Sequence, residues 1–67
     1  MNPAYKVLYD HVMNEIHDNE QARKIVDFAL LEGMTVGVET KDPEAGTRRM
    51  MEEIDRLVEI HKHQQRK

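Results

Sequence analysis

Hydrophobic positions spread most widely around the helix axis between Asn19 and Gly33, where they recur at helical spacing. At about 100° per residue they cover an arc of roughly 200°, which is wider than the stripe that a surface helix buries against one neighbour. Asp18 or Asn19 can cap the first turn, and Gly33 can end the helix in the left-handed conformation. We predict a helix from Asn19 to Gly33 that packs against more than one neighbour. Its apolar residues are Ala22, Ile25, Val26, Phe28, Ala29, Leu30 and Leu31.

A first helix is predicted from Pro3 to about His17, because Asn2 can cap it and proline suits the first helical position. Its apolar residues lie on one side and are Tyr5, Leu8, Tyr9, Val12, Met13 and Ile16. Asp18 and Asn19 leave room for only a short connection, so the first two helices should pack as an antiparallel hairpin.

The period changes to two after Gly33, since Met34, Val36 and Val38 alternate with smaller or polar residues. This alternation is typical of a strand, and the chain offers no second strand to pair with it. It predicts a short extended segment around 34–38. Two interpretations remain open: a loop that covers the hairpin, which we favour slightly, and a strand that pairs with its own copy across a two-fold axis.

A longer third helix is predicted from Asp42 and Pro43, which form another cap and first turn. Its apolar side follows a heptad-like spacing and consists of Met50, Met51, Ile54, Leu57, Val58 and His61. This run is too short for a free-standing coiled coil, so the helix should dock on the hairpin or on a partner. The sequence therefore predicts a single domain over residues 1–67, all-α or nearly so, with three helices.

Composition narrows the possible functions of these 67 residues. Without cysteine the chain has neither a disulfide nor a thiolate metal site, and no stretch approaches the ~20 apolar residues that cross a bilayer. We expect a cytoplasmic protein. The net charge of −3 argues against a general polyanion binder, because affinity for nucleic acids rests mainly on neutralising phosphates.

The four histidines do not form a recognisable metal site. His11 and His17 are six residues apart and His61 and His63 are two apart, so neither pair lies on one helix face. The best remaining set is Asp55, Glu59 and His63, in one row at i, i+4 and i+8. Charges around it alternate at salt-bridge spacing and indicate a solvated outer surface, and we expect no metal and no cofactor. These neighbouring charges are Arg48, Arg49, Glu52, Glu53 and Arg56.

No catalytic motif is present. The chain has no serine or cysteine nucleophile, and its three glycines fit neither GxGxxG nor the Walker pattern. The segment Gly46-Thr47-Arg48-Arg49 could hold an anion if it opened a helix, although it is more typical of an ordinary helix entrance. We expect that the protein is not an enzyme.

His61 differs from the other histidines because it lies on the apolar side of the third helix. It is either a helix-end histidine with a half-buried ring or a pH-sensitive interface residue.

We predict a small protein-interaction or regulatory protein, an adaptor, inhibitor or assembly factor, that acts as a helical homodimer through apolar helix faces. Two short helices cannot easily cover the broad apolar arc of the second helix, and apolar surface left exposed is typically an interface. The candidate contact residues are Phe28, Leu30, Leu31, Val36 and Val38. The alternative is a nucleic-acid-associated dimer that uses basic residues of the last helix, namely Arg48, Arg49, Lys62, Arg66 and Lys67.

Overall fold

Three α-helices make up the computed structural model, which describes residues 2–65. They are α1 (Pro3–Ile16), α2 (Asn19–Thr40) and α3 (Pro43–Gln65). No residue in this described range is in a β-strand. The predicted all-α fold of three helices, with the longest at the carboxyl end, is confirmed.

Each helix begins at the cap that the sequence predicts. Side-chain oxygens of Asn2, Asp18 and Asp42 accept hydrogen bonds from free backbone N–H groups of the following turn, at 2.8, 3.1 and 3.0 Å. Pro3 and Pro43 follow two of these caps as the first helical residues. These bonds satisfy donors that a helix leaves unpaired at its start.

The connections between the helices are tight and contain no glycine. His17 and Lys41 adopt the left-handed conformation, with φ of 54° and 55°, and end α1 and α2. Their backbone N–H groups bond back to carbonyl oxygens in the last turn of each helix. Each helix can therefore reverse direction within about two residues.

The predicted end of the second helix at Gly33 is wrong, and so is the extended segment around 34–38. Gly33 has no positive φ, and α2 continues through this segment for seven further residues to Thr40. The hydroxyl of Thr35 donates to the carbonyl oxygen of Leu31 at 2.9 Å, a bond that requires a helical turn. Because 34–38 is helical, it provides no strand for pairing across a dimer.

The core lies where the three helices meet. Val12, Val26 and Ile54 are fully buried and come from different helices. The complete buried apolar cluster is Val12, Ile16, Ala22, Ile25, Val26, Ala29, Ile54 and Val58. α3 thus docks on the other two helices, as its apolar side predicts.

α2 and α3 form the most extensive pair, an antiparallel hairpin that runs along the whole molecule. α1 lies antiparallel to the first half of α2, where the hydroxyl of Tyr5 donates to Asp27 at 3.0 Å and that of Tyr9 donates to Asn19. An ion pair between Glu15 and Lys62 joins α1 to α3. The predicted hairpin of the first two helices is present, but α3 is the larger neighbour of α2.

The second half of the α2–α3 hairpin extends beyond α1. The molecule measures 41 × 26 × 14 Å, and its radius of gyration is 12.2 Å, against about 11 Å expected for a compact domain of this length. One half therefore has a three-helix core, and the other half is a pair of helices.

Candidate protein-interaction surface

The outward face of α2 changes character halfway along the helix. In the first half this face is charged and exposed, with Glu20, Arg23, Lys24 and Asp27. From residue 28 to residue 38 the only charged residue is Glu32, which lies towards α3 and faces Arg49 at 3.9 Å. The part of α2 that α1 does not cover is thus the part that lacks outward charges.

Four large apolar side chains occupy this second half, and we call them the α2 stripe: Phe28, Leu31, Met34 and Val38. Their exposed fractions are 43%, 63%, 68% and 77%. Leu31 and Val38 lie on the side of the helix opposite the buried residues Ala29 and Gly33. These side chains therefore contribute little to the core of the monomer.

An apolar groove of about 430 Å³ adjoins the α2 stripe. It runs between α2 and α3 beyond the amino end of α1, and we call it the distal groove. Its walls are formed by Leu30, Met34 and Val38 of α2 and by Pro43, Thr47 and Met50 of α3. The groove and the stripe share Met34 and Val38, so they form one continuous apolar surface.

Three glycines form the floor of the distal groove, and they allow the helix backbones to approach closely. A Cβ atom on Gly33 would stand 2.7 Å from the carbonyl oxygen of Gly46, and one on Gly46 would collide with the carbonyl oxygen of Gly33. Gly37 faces the same contact from one turn further along α2. Gly33 and Gly46 are therefore required by helix packing and not by a turn, whereas a Cβ atom on Gly37 would stand at an ordinary 3.8 Å from its nearest neighbour.

The predicted contact residues fall into two groups. Phe28, Leu31 and Val38 are exposed on the α2 stripe, whereas Leu30 and Val36 are half-buried. The interpretation that placed Val36 beside Val38 assumed an extended segment. In a helix, residues two apart point about 160° away from each other, so Val36 does not belong to the same surface.

Met34 is a member of this surface that the sequence-based list left out. The alternating pattern assigned it to a segment lying over the hairpin, although it is more exposed than Leu31. The available signal was the absence of outward charges from residue 28 to residue 38, once that segment is treated as one continuous helix.

The basic residues of α3 are partly used within the monomer. Arg49 contacts Glu53 at 3.1 Å, and Lys62 pairs with Glu15. Arg48 is exposed, and Arg66 and Lys67 lie outside the described residues. Among the candidates that the structure describes, Arg48 and Arg49 lie more than three turns of α3 away from Lys62 and do not share one patch with it.

Glu53 contradicts the prediction of a uniformly solvated outer surface, because only 3% of this residue is exposed. Its carboxylate receives Arg56 at 2.7 Å and Arg49 at 3.1 Å. The hydrogen bond from Arg56, together with the charges of both arginines, lowers the pKa of Glu53 below its usual range, although burial acts in the opposite direction. Glu53 is therefore ionised at neutral pH and holds two cations against the helix.

The candidate metal residues do not form a site. Asp55 and Glu59 border a cleft of about 270 Å³ between α1 and α3, and His63 does not line it. Within residues 2–65, no three His, Asp or Glu side chains lie close enough together to hold a metal ion. In this cleft, the ion pair of Glu15 with Lys62 lowers the pKa of Glu15 through a hydrogen bond from the ammonium group.

The segment Gly46–Arg49 is not a helix entrance, because α3 begins at Pro43. The N–H of Gly46 donates to the carbonyl oxygen of Asp42 at 3.3 Å. The hydroxyl of Thr47 donates to the carbonyl oxygen of Pro43 at 3.1 Å. These donors are already bonded inside the helix. The anion alternative relied on free amides at a helix start, and Gly46 does not supply one.

His61 has a half-buried ring, as the first of its two interpretations predicts. Its Nε2 atom is buried and has no hydrogen-bond partner among the residues described. A role for His61 as a pH-sensitive interface residue stays a prediction.

Comparison with known proteins finds no match: no family model, no curated protein and no solved structure is similar to the chain. None of the helices, over the residues described, combines the length and the apolar character needed to cross a membrane. The cytoplasmic location stays a prediction.

Proposed function

We propose that this chain is a small protein-interaction protein, an adaptor, inhibitor or assembly factor, which acts without catalysis through the apolar surface of α2. The observation that carries the proposal is the change along the outward face of α2, from charged residues to the α2 stripe. A helix whose only task is to cover the monomer core has no need of four large apolar side chains on its outer side.

The size of the surface supports a protein as the ligand. A fully exposed large side chain presents roughly 200 Å², so the α2 stripe exposes on the order of 500 Å² of apolar area. That is near the upper end of the largest apolar patch on a typical monomer. The distal groove extends the same surface and is open along its length.

The nucleic-acid alternative has no comparable support. Arg49 and Lys62, two of its five candidate contacts, are held by carboxylates of the same chain. It stays a prediction, and binding to mixed-sequence DNA that falls steeply with salt would restore it.

The test places a photo-crosslinking amino acid at Leu31 in cells of the native host. The matched control carries it at Val7, which is 68% exposed but lies on α1, away from the α2 stripe. We expect a discrete covalent protein adduct from position 31 and none from position 7. Equal crosslinking at both positions, or none at either, would contradict the proposal.

A further inference from the structure

We propose that the occupant of the α2 stripe is a second copy of this chain, bound antiparallel through α2 to form a two-fold symmetric homodimer. This inference rests on the proposed function and names the partner of that surface. It is carried by the register of the exposed residues, by the charges at the two ends of α2 and by the exposed area.

The exposed residues Phe28, Leu31, Thr35 and Val38 follow one another at spacings of three, four and three. This is the spacing of a seam between two packed helices. The seam is also symmetric about residue 33. In an antiparallel pair, Phe28 therefore meets Val38 of the partner subunit, and Leu31 meets Thr35 of the partner subunit.

Such an arrangement satisfies the rule for a two-fold interface, in which residue i contacts residue j and residue j contacts residue i. Met34 lies beside the centre of the seam, where it would meet Met34 of the partner subunit. Met34 is 68% exposed in the monomer and lies at the edge of the seam, so this contact would bury it.

The charges at the two ends of the seam are compatible with the antiparallel direction. Exposed Lys24 and Asp27 lie before the seam, and exposed Lys41 and Asp42 lie after it. Antiparallel pairing brings Lys24 and Asp27 to the end of α2 in the second copy, next to Lys41 and Asp42 of the partner subunit. A parallel dimer would instead place Lys24 against its own copy, which is unfavourable.

The available area reaches the size that a specific dimer needs. Two copies of the α2 stripe would bury about 1,000 Å² of apolar surface, which is near the lower limit for a specific interface. The monomer also exposes 4931 Å², whereas a compact monomer of 7.9 kDa exposes about 4,400 Å². The excess is about 500 Å², as expected for a molecule in which half of the α2–α3 hairpin extends beyond α1.

Disulfide crosslinking can test both the partner and the direction, because the natural chain contains no cysteine. Phe28→Cys and Val38→Cys are prepared separately, mixed and oxidised, after circular dichroism has shown that each keeps the helix content of the parent. Cysteines can bridge only when their Cα atoms lie within about 7 Å. We expect rapid formation of the mixed 28–38 disulfide and slow formation of 28–28 or 38–38, with Val7→Cys as the control that does not crosslink.

Light scattering of the unmodified chain over a hundredfold range of concentration gives the second measurement. We expect a dimer mass that Leu31→Glu reduces to that of a monomer, while Val7→Glu leaves it unchanged. Fast 28–28 disulfides would overturn the antiparallel arrangement. A monomer at every concentration would overturn the second copy as the occupant, and crosslinking at Leu31 to a larger protein in cells would then still support the proposed function.

A charge exchange tests the register further. Because Asp27 also accepts the hydrogen bond from Tyr5, the charge variants are made in a Tyr5→Phe background. There Asp27→Lys and Lys41→Glu each place like charges at both ends of the seam, so we expect each to weaken the dimer roughly tenfold. The double variant restores opposite charges and should recover most of the affinity. Additive weakening in the double variant would contradict the proposed register.

Discussion

Glu53 shows how much a single residue depends on its tertiary neighbours. It lies between Met50 and Leu57 at spacings of three and four, so it occupies the edge of the packed face of α3. A buried carboxylate is costly unless it is paired and hydrogen-bonded, and here Arg49 and Arg56 supply both kinds of contact from the same helix. The sequence contains these arginines, but the burial of the acid between them depends on where α3 docks.

The lowered pKa of Glu53 predicts a pH dependence of stability. When folding lowers the pKa of a carboxyl group, the stabilisation is present at neutral pH and is lost as pH falls through the folded pKa. The free energy of unfolding should therefore decrease as pH falls from about 5 to about 3. Glu53→Gln should lower stability at pH 7 and make this decrease shallower.

Urea denaturation at a series of pH values measures this effect. The control is Glu52→Gln, which removes an exposed acid next to Glu53 and should leave the slope nearly unchanged. If Glu53→Gln kept the full pH dependence of the parent chain, folding would not lower the pKa of Glu53 and the prediction would be wrong.

At the scale of single elements, α2 is the helix whose length the sequence pattern conceals. Gly33 and Gly37 occupy positions on α2 that face α3, where apolar side chains would otherwise make the helical period visible. With glycine at both positions, only Met34, Val36 and Val38 remain apolar, and their spacing resembles that of a strand. The helical period of α2 is thus hidden in the sequence, and at Gly33 the reason is that α3 approaches too closely for a side chain.

A proline substitution at position 35 tests whether α2 is continuous. Thr35→Pro would remove a helical N–H and bring the ring against the carbonyl oxygen of Leu31, at a cost of about 3 kcal/mol. Thr35→Ala should be neutral or slightly stabilising, because alanine favours a helix. Circular dichroism and urea denaturation at equal protein concentration measure both, and tolerance of proline at position 35 would indicate an extended segment instead.

At the scale of the whole molecule, the two halves are held together differently. The half with α1 has a side-chain core around Val12, Val26 and Ile54, whereas the far half depends on backbone contact at Gly33 and Gly46. Because side chains are lacking between the helices there, the apolar residues of α2 point outward and remain available to a partner.

Two glycine-to-alanine substitutions test this contact, because one is expected to lower stability and the other to raise it. A methyl group on Gly46 would meet the backbone of Gly33 and Gly37, neither of which can move aside cheaply, so Gly46→Ala should destabilise by about 1–3 kcal/mol. A methyl group on Gly37 would find its nearest atom 3.8 Å away. Gly37→Ala should therefore stabilise by about 0.5–1 kcal/mol, because alanine is the better helix former.

Thermal unfolding of both variants gives the measurement. Equal effects of the two substitutions would mean that the hairpin does not depend on the close approach at Gly46.

The sequence by itself determined the number of helices, their starting points and most of the core. These features are local: Asn2, Asp18 and Asp42 bond to their own helices, and the apolar periods of α1 and α3 need no knowledge of a neighbour. Phe28 and Leu31 were likewise identified as candidate contacts from the width of one apolar arc, whereas Val38 came from the alternating segment that follows it.

Only the tertiary structure decided the course of residues 34–38, the burial of Glu53 and the separation of Leu30 and Val36 from the exposed surface. Each of these depends on the distance and orientation of α3 relative to α2, which is set by the contact between Gly33 and Gly46. The sequence does not distinguish a glycine that ends a helix from one that lets another helix approach closely. The choice between the two is made by packing between residues that are far apart in the chain.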